Sequence, residues 1–212
     1  MKRCPLLSCC FALMAVSLLM TAPAEAQKKM KEPSGFLSDY SRLEPDPADK
    51  SILVYGDHAQ ILCKYKKVFV QPVQIFLHEK TEQKVDEETR EVLKQYTFFA
   101  LIDGLRAVEW LEFAEPGPGV VEINTAITDI VKAKPVQQVL PLSKLIGIGR
   151  GGAALEEELL DSETGEQLAA AIWAGRGSRF DMKGLKKYGH AKKVIDAWAK
   201  NWSTRLSERD CD

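Results

Sequence analysis

The most regular alternation of hydrophobic and polar positions lies between Val120 and Val131. The side chains of Val121, Ile123, Thr125 and Ile127 share one side of this segment, and Glu122, Asn124, Ala126 and Thr128 occupy the other. A period of two residues is typical of a β-strand with one buried face. The pattern therefore predicts a strand over residues 120–131.

Two further segments predict strands before it. Ile61–Phe76 is rich in Val, Ile, Phe and Tyr, and Pro72 within it indicates an edge strand or a bulge, because proline cannot donate to a sheet. Arg106–Ala114 is a second candidate. The Pro- and Gly-rich turn Glu115–Gly119 would join it to residues 120–131 as an antiparallel hairpin.

Two segments have helical spacing. The first opens on the acidic run Asp86–Glu88, which suits a helix N-terminus, and Gly104 is a natural end. Its predicted apolar stripe consists of Val92, Tyr96, Phe99 and Ala100. The second runs from His190 to Leu206 and has the stripe Val194, Ile195, Trp198, Trp202 and Leu206.

A short aromatic segment precedes the first strand. Phe36, Tyr40 and Leu43 fall on one face at helical spacing, and Pro45 and Pro47 stop any helix there. The segment can pack on the core of the domain. It can also serve as a docking site for a partner protein.

Residues 153–174 allow two interpretations. Their Ala, Leu and Glu content favours a helix by propensity. Asp161–Glu166 is a cluster of turn residues, and a segment of strand length flanks it on each side, which favours a hairpin. Propensity alone does not decide between them.

The chain begins like an exported protein. Lys2 and Arg3 precede the apolar run Phe11–Met20, and Ala24 and Ala26 form the small-x-small pattern that signal peptidase reads. The run is shorter than the roughly 20 residues that span a membrane, which speaks against a retained anchor. We predict a signal peptide over residues 1–26, a flexible lead over 27–34, one domain over 35–208 and a tail over 209–212.

A lipid anchor is the alternative for this region. Residues 6–9, which end in Cys9, loosely resemble a bacterial lipobox, and a lipid on that cysteine would attach the protein to a membrane. Almost no apolar segment precedes Cys9, and cleavage there would leave the run Phe11–Met20 on the mature protein. A cleaved, unlipidated protein in the periplasm or outside the cell is therefore the preferred prediction.

Composition and charge exclude some function classes. The 29 basic and 30 acidic residues give a formal net charge of −1, and aromatic residues do not alternate with basic ones. The sequence therefore lacks the positive patch typical of nucleic-acid binding. Of five cysteines, only Cys63 and Cys211 lie beyond the signal peptide. An oxidising compartment would permit a disulfide between them, and a buried Cys63 with a free tail thiol fits equally well.

No motif marks a catalytic or metal site. His58, His78 and His190 lie too far apart in sequence to suggest a ligand pair, and the chain has no Cys-x-x-Cys and no Gly-x-Ser-x-Gly. Gly147–Gly152 formally matches the dinucleotide-binding glycine pattern. That pattern needs a strand before it and a helix after it, so here it predicts a loop. We predict no cofactor, no metal and no enzymatic activity.

Two groups of residues have a structural and a functional interpretation. The carboxylate runs 86–88 and 156–158 are explained by solvated faces or helix ends, since nothing in the sequence separates their pKa values as acid catalysis would require. Trp198 and Trp202 could form a binding platform, but they share a stripe with Ile195 and Leu206, which favours packing in the core.

Three segments form a recognisable set: Gly35–Leu43, Leu159–Ala171, and Tyr188–Ala191 leading into Ile195–Ala199. Together they resemble domain-of-unknown-function family 3313, a group of exported bacterial proteins, many of which are described as lipoproteins. The resemblance spans roughly residues 34–208 and implies that residues 153–174 form a hairpin. It implies no catalytic residues, because the family has no established activity.

These observations predict an α+β domain, with a mixed or antiparallel sheet of about five strands and two or three helices on one face. The leading functional hypothesis is a non-catalytic binding or adaptor protein of the bacterial envelope with a protein partner. A small-molecule carrier and a hydrolase whose residues assemble only in three dimensions are the alternatives.

Overall fold

Three long antiparallel strands form the centre of the sheet: β6 (Val121–Val131), β7 (Gly152–Asp161) and β8 (Gln167–Arg176). The structure is a computed structural model, and it describes residues 34–49, 52–77, 85–131, 152–176, 189–209 and 211. The register places Thr125 and Ala171 on either side of Glu157. The described residues form one compact unit.

Short strands extend the sheet on both sides. Strands β1, β2, β8, β7, β6, β3 and β5 follow one another across the sheet, and β4 also pairs with β6. Pairing is parallel where β3, β4 and β5 are involved and antiparallel elsewhere, so the sheet is mixed. The short strands are β1 (Glu44–Pro45), β2 (Ile52–Tyr55), β3 (Lys67–Val70), β4 (Gln74–Ile75) and β5 (Glu112–Phe113).

The predicted number of about five strands was too low, because the described residues form an eight-stranded sheet. Three of the eight strands are only two residues long. A pair of residues cannot display a period of two, so these strands leave no periodic signal in the sequence.

Three helices pack on one face of the sheet within the described residues: α1 (His58–Tyr65), α2 (Glu87–Arg106) and α3 (Gly189–Ser207). Their apolar side chains and those of the sheet make one continuous core. This arrangement confirms the α+β class and the helices on one face. No helix in the described ranges is both long and apolar enough to cross a membrane.

The segment Ile61–Phe76 was wrongly predicted as wholly extended. Its first residues belong to α1, which begins after Asp57, whose side chain accepts a hydrogen bond from the Gln60 amide at 3.0 Å. The extended part is divided into β3 and β4, both paired with β6, and Pro72 lies exposed between them. Proline has no N–H for the ladder, so the edge is interrupted there.

Helix α2 presents another face than predicted. Val92 and Phe99 of the predicted stripe are 47% and 59% exposed, and the buried residues are Leu93, Thr97, Leu101, Ile102 and Leu105. Gly104 does not end the helix, which continues to Arg106. A Cβ at Gly104 would lie 3.1 Å from the carbonyl oxygen of Ala199, so this glycine allows α2 and α3 to pack closely.

The hairpin predicted between Arg106–Ala114 and Val120–Val131 was also wrong. Only Glu112–Phe113 is a strand in the first of these segments, and it pairs in parallel with β3 rather than with β6. Helix α2 extends into the predicted strand and ends at Arg106. The chain therefore crosses from β3 to β5 through α2, which places the two strands in parallel.

Three other predictions are confirmed. Val121, Ile123, Thr125 and Ile127 of β6 are all buried. Residues 153–174 lie within the hairpin of β7 and β8, whose turn includes Gly165 at φ 72°. The stripe of α3 is buried at all five predicted positions.

The N-terminal segment (residues 34–43) crosses the face of the sheet opposite the helices and is not helical, contrary to its spacing. Backbone amides that would donate within a helix donate to side-chain oxygens instead. The Tyr40 hydroxyl accepts hydrogen bonds from the amides of Gly35 and Leu37, both at 3.0 Å. The amide of Ser38 donates to Glu158 at 2.9 Å. These contacts satisfy the backbone without a helical ladder.

A disulfide joins Cys63 of α1 to Cys211 beyond the end of α3, with the Cα atoms 5.2 Å apart and a sequence separation of 148. Arg209, next to the tail, also forms an ion pair with Asp57 at the start of α1. The end of the chain is thus fastened to α1 by a covalent bond and by an ion pair.

Replacing Cys63 by Ser should lower the free energy of unfolding by about 2 to 5 kcal/mol, because the cross-link removes conformational freedom from the unfolded chain over a long loop. Urea denaturation with and without dithiothreitol measures the loss. The reductant should destabilise the wild type and leave Cys63→Ser unchanged. Equal midpoints of the wild type under both conditions would show that the bridge does not stabilise the fold.

Candidate functional site

The centre of β7 carries three consecutive buried carboxylates. Glu156, Glu157 and Glu158 are only 4%, 6% and 5% exposed. The prediction that solvated faces or helix ends explain this run was therefore wrong. Successive side chains of a strand point to opposite faces, so Glu156 and Glu158 face the N-terminal segment while Glu157 faces the helices.

Glu156 and Glu158 hold the N-terminal segment on the sheet. Oε2 of Glu156 accepts hydrogen bonds from Ser34 Oγ at 2.8 Å and from the Tyr40 hydroxyl at 2.6 Å. Oε2 of Glu158 accepts from the amide and hydroxyl of Ser38 at 2.9 and 2.8 Å, and from Gln167 Nε2 at 2.9 Å. These contacts give the two buried carboxylates the hydrogen-bond donors that burial requires.

Glu157 connects the sheet to α3. Its Oε2 accepts hydrogen bonds from the indole N–H of Trp198 at 2.9 Å and of Trp202 at 2.6 Å. Its other oxygen, Oε1, receives no hydrogen bond among the described residues and lies 3.8 Å from Nε2 of His58. One side of this carboxylate is thus saturated, and the other is left without a donor.

His58 is the first residue of α1 and lies against Trp202, with ring centroids 5.5 Å apart in an edge-to-face arrangement. Its side chain is 15% exposed, and its Nε2 atom is fully buried without a hydrogen-bond partner among the described residues. The imidazole also hydrogen-bonds to the backbone of Gly56. Since Nε2 has no partner, this bond uses Nδ1, which leaves Nε2 as an acceptor in the neutral ring.

These residues lie in a half-open cleft of about 730 Å³ between β2, β8, α1 and the C-terminal half of α3. At its rim, Arg205 forms an ion pair with Asp46 at 3.0 Å, and Arg209 pairs with Asp57. Its apolar walls are Ile52, Val54, Ala171, Trp173, Trp198, Trp202 and Leu206. We refer to this space as the α3 cleft.

Burial shifts the pKa values of the two central groups in opposite directions. It raises the pKa of Glu157 from 4.5 to about 7, although the hydrogen bonds from Trp202 and Trp198 and the charge of Arg205 oppose the shift. Burial lowers the pKa of His58 from 6.5 to about 4, and the charge of Arg205 lowers it further. Near neutral pH the cleft therefore holds a neutral imidazole and a carboxyl group that is about half ionised.

This arrangement can accept hydrogen bonds and exchange a proton near neutral pH. The described part of the chain holds no group of three or more His, Cys, Asp or Glu side chains arranged to bind a metal ion. The site is therefore a cleft with one titrating carboxyl group among its lining residues.

The structure separates the residues that the sequence singled out. Phe36, Tyr40 and Leu43 are half-buried in the N-terminal segment, on the face opposite the α3 cleft. Cys63 and Cys211 come together in the disulfide. The predicted signal peptide (residues 1–26), with its candidate lipid site Cys9, lies outside the described residues. The predicted lead (residues 27–34) lies outside them too, except for Ser34.

The other candidates are distributed as follows. His190 is buried at the start of α3, while His78 lies outside the described residues. Gly147–Gly152 lies outside them too, except for Gly152, the first residue of β7. Trp198 and Trp202 are core residues as favoured, but their indole N–H groups also bind the carboxylate at the base of the cleft.

Sequence reasoning missed Glu157 as a site residue. A signal was available once residues 153–174 were assigned to a hairpin. Leu155, Glu157 and Leu159 then share one face, and a carboxylate between two core leucines has to be buried. The pairing of Glu157 with His58 leaves no such trace, because 98 residues separate them and only the fold brings them together.

The fold and the cleft define a class of protein: an α+β domain with a mixed sheet, a one-sided helical layer and a buried row of glutamates. Residues 32–202 match the family described as Protein of unknown function (DUF3313). The chain belongs to this family. A search of curated proteins gave no match.

Several solved structures are similar to this chain. The PelC dodecamer from Paraburkholderia phytofirmans has 12% identity and a TM-score of 0.45, over 75% of this chain and 98% of that one. A neuraminyllactose-binding hemagglutinin homolog from Helicobacter pylori has 12% identity and a TM-score of 0.36, over 67% and 83%. A minor lipoprotein from Acinetobacter baumannii has 11% identity and a TM-score of 0.30, over 68% and 93%. With TM-scores this low, the similarities assign no function.

Replacing Glu158 by Ala should destabilise the fold by about 2 to 4 kcal/mol, because the buried donor of Gln167 and the two donors of Ser38 lose their acceptor. It should also expose the N-terminal segment to proteolysis. Urea denaturation and limited proteolysis with mass mapping measure the two effects. The matched control is Glu163→Ala in the exposed turn of the same hairpin. Equal stability of the two variants would contradict a holding role for Glu158.

The opposite pKa shifts predict opposite pH dependences of stability. The raised pKa of Glu157 contributes stability below about pH 4.5 that is lost as the pH rises through about 7. The lowered pKa of His58 contributes stability above about pH 6.5 that is lost as the pH falls through about 4. In the wild type the two contributions oppose each other between these values.

In the Glu157→Gln variant only the contribution of His58 remains. Its free energy of unfolding should therefore rise with pH between about 4 and about 6.5, more steeply than that of the wild type. Urea denaturation at a series of pH values makes the comparison, with Glu163→Gln as the exposed control. Identical profiles for the wild type and Glu157→Gln would show that the pKa of Glu157 is not raised.

Proposed function

We propose that this chain is a non-catalytic binding protein of the bacterial cell envelope and that it holds a small ligand in the α3 cleft. The observation that carries the proposal is the cleft itself. A volume of about 730 Å³, apolar and aromatic walls and a few polar groups at the base match the usual composition of a ligand pocket.

Two features support a place outside the cytoplasm. The start of the sequence has the charge, apolar run and small-residue pattern of a signal peptide. The disulfide between Cys63 and Cys211 is of the kind that persists in oxidising compartments.

The N-terminal segment is less suited to docking a partner than its sequence suggested. The hydroxyl of Tyr40 is used within the domain, where it donates to Glu156 and accepts from two backbone amides. Phe36 packs against Phe76 with ring centroids 6.0 Å apart. Since these side chains are engaged within the chain, the cleft is the stronger candidate for binding.

An acid–base enzyme, such as a hydrolase, is a second candidate. The α3 cleft does bring a histidine and a carboxyl group together, which favours this class. However, the described lining of the cleft contains no Ser, Thr, Cys or Lys side chain that could act as a nucleophile. Binding therefore remains the better-supported function.

Native mass spectrometry of the full-length, oxidised protein purified from its own envelope tests the proposal. A small molecule should co-purify and should be lost from Val54→Phe, because the larger ring fills the cleft. The matched control is Val92→Phe, at an exposed position on α2. It should retain the molecule.

Other outcomes would identify the alternatives. A protein partner found by crosslinking in intact cells, with no bound small molecule, would replace the ligand proposal by an adaptor role. Turnover of ester or amide substrates that is lost in Glu157→Gln would establish an enzyme.

A further inference from the structure

The chemistry at the base of the α3 cleft indicates which kind of ligand fits it, provided that the proposed binding function holds. Oε2 of Glu157 is saturated by two indole N–H groups, while Oε1 has no donor among the described residues. Its polar neighbour is Nε2 of His58, at 3.8 Å. This separation is too long for a hydrogen bond between the two atoms.

Both of these atoms are acceptors when Glu157 is ionised. The imidazole of His58 uses its other nitrogen on the backbone of Gly56, so Nε2 presents a lone pair. An ionised carboxylate likewise has only lone pairs to offer. Two converging acceptors without a donor between them require a donor from outside.

The charge of the lining favours a positive ligand. Its acidic residues are Asp46, Asp57, Glu157 and Glu208, and its basic residues are Arg205 and Arg209. The two arginines are already paired with Asp46 and Asp57. The carboxylates of Glu157 and Glu208 are therefore left without an arginine or lysine partner among the described residues, and the cleft has an excess of negative charge.

The walls suit the remainder of such a ligand. Trp173, Trp198 and Trp202 are among the lining residues of the cleft, and aromatic side chains offer a large apolar contact surface. Ile52 and Val54 extend the apolar wall along β2. The cleft thus combines an anionic base with an aromatic and aliphatic wall.

We propose that the α3 cleft binds an organic cation: a primary ammonium group that donates hydrogen bonds to Oε1 of Glu157 and Nε2 of His58, carried on an apolar body that lies along Trp173, Ile52 and Val54. An ammonium group has three donors and no acceptor, which complements two acceptors at the base. Two of these donors then form charge-assisted hydrogen bonds at the base of the cleft.

Binding of such a cation depends on pH. The ligand needs ionised Glu157, which is half protonated near pH 7 in the free protein. The ionisable groups around it, besides the neutral His58, are the two ion pairs at the rim and Glu208. Affinity should therefore rise about tenfold between about pH 6 and about pH 8, as the competent fraction rises from about a tenth to about nine tenths.

The test uses phenethylammonium as the probe, because it stays protonated across this pH range. Phenethyl alcohol and hydrocinnamate serve as neutral and anionic probes of similar shape. The indole N–H signals of Trp198 and Trp202 in the nuclear magnetic resonance spectrum of the full-length, oxidised protein report binding at the base. We expect the ammonium probe to shift these signals. It should bind at least about tenfold more tightly than the alcohol, and its affinity should rise with pH.

Glu157→Gln is the decisive variant. Its amide oxygen can accept both indole N–H groups and its NH₂ group takes the place of Oε1, so the fold should be retained while the anionic acceptor is lost. Binding of the ammonium probe should fall at least about tenfold and lose its pH dependence. Glu163→Gln, in the exposed turn between β7 and β8 and outside the cleft, is the matched control and should change the affinity less than about twofold.

Equal or tighter binding of the alcohol or of hydrocinnamate would overturn the cation inference and leave the proposed binding function in place. Unchanged ammonium binding in Glu157→Gln would overturn it as well. If no probe shifts the indole signals, the cleft does not take an ammonium ligand. The co-purification experiment then decides separately whether it takes any ligand.

Discussion

Burial of three adjacent carboxylates in β7 is the constraint on which the rest of this structure depends. An unpaired carboxylate in a protein interior is costly, so each glutamate needs donors close by. Glu156 and Glu158 obtain theirs from the N-terminal segment, and Glu157 obtains two from α3. One strand thereby positions an irregular segment on one face of the sheet and a helix on the other.

Two ion pairs and a disulfide connect distant parts of the chain around the α3 cleft. Arg205 pairs with Asp46 beside β1, Arg209 pairs with Asp57 at the start of α1, and the disulfide joins the tail to the same helix. All three connect the C-terminal end of the chain to residues 46–63. They hold the walls of the cleft at a defined separation, and a rigid wall lowers the entropy that a ligand must lose on binding.

Glu157 has two roles that its two oxygens keep apart. One oxygen fastens α3 through the indole groups, and the other faces His58 at the base of the cleft. The structural role explains why the carboxylate is buried. Burial in turn raises its pKa to about 7, which makes the same group responsive to pH and to a cation in the cleft. Burial of the carboxyl group, rather than its hydrogen bonds to the indoles, is thus the cause of the raised pKa.

The sequence by itself determined the elements with a long, unbroken period. The alternation of residues 120–131 and the stripe of α3 each repeat often enough to identify the buried face, and both were predicted correctly. The turn residues 161–166 allowed the central hairpin, which the resemblance to a family then favoured over a helix. Elements of two residues and the buried face of α2 were not predictable, because neither carries a distinct period.

Only the tertiary structure decided the site. The proximity of Glu157 to His58 depends on the packing of β7 against the first residue of α1, and the rim pairs join residues more than 150 apart in sequence. No local pattern encodes such contacts, since they depend on the order of strands in the sheet and on the closure of α3 over it. The sequence could place a glutamate between two core leucines, but the partners that satisfy it come from elsewhere in the fold.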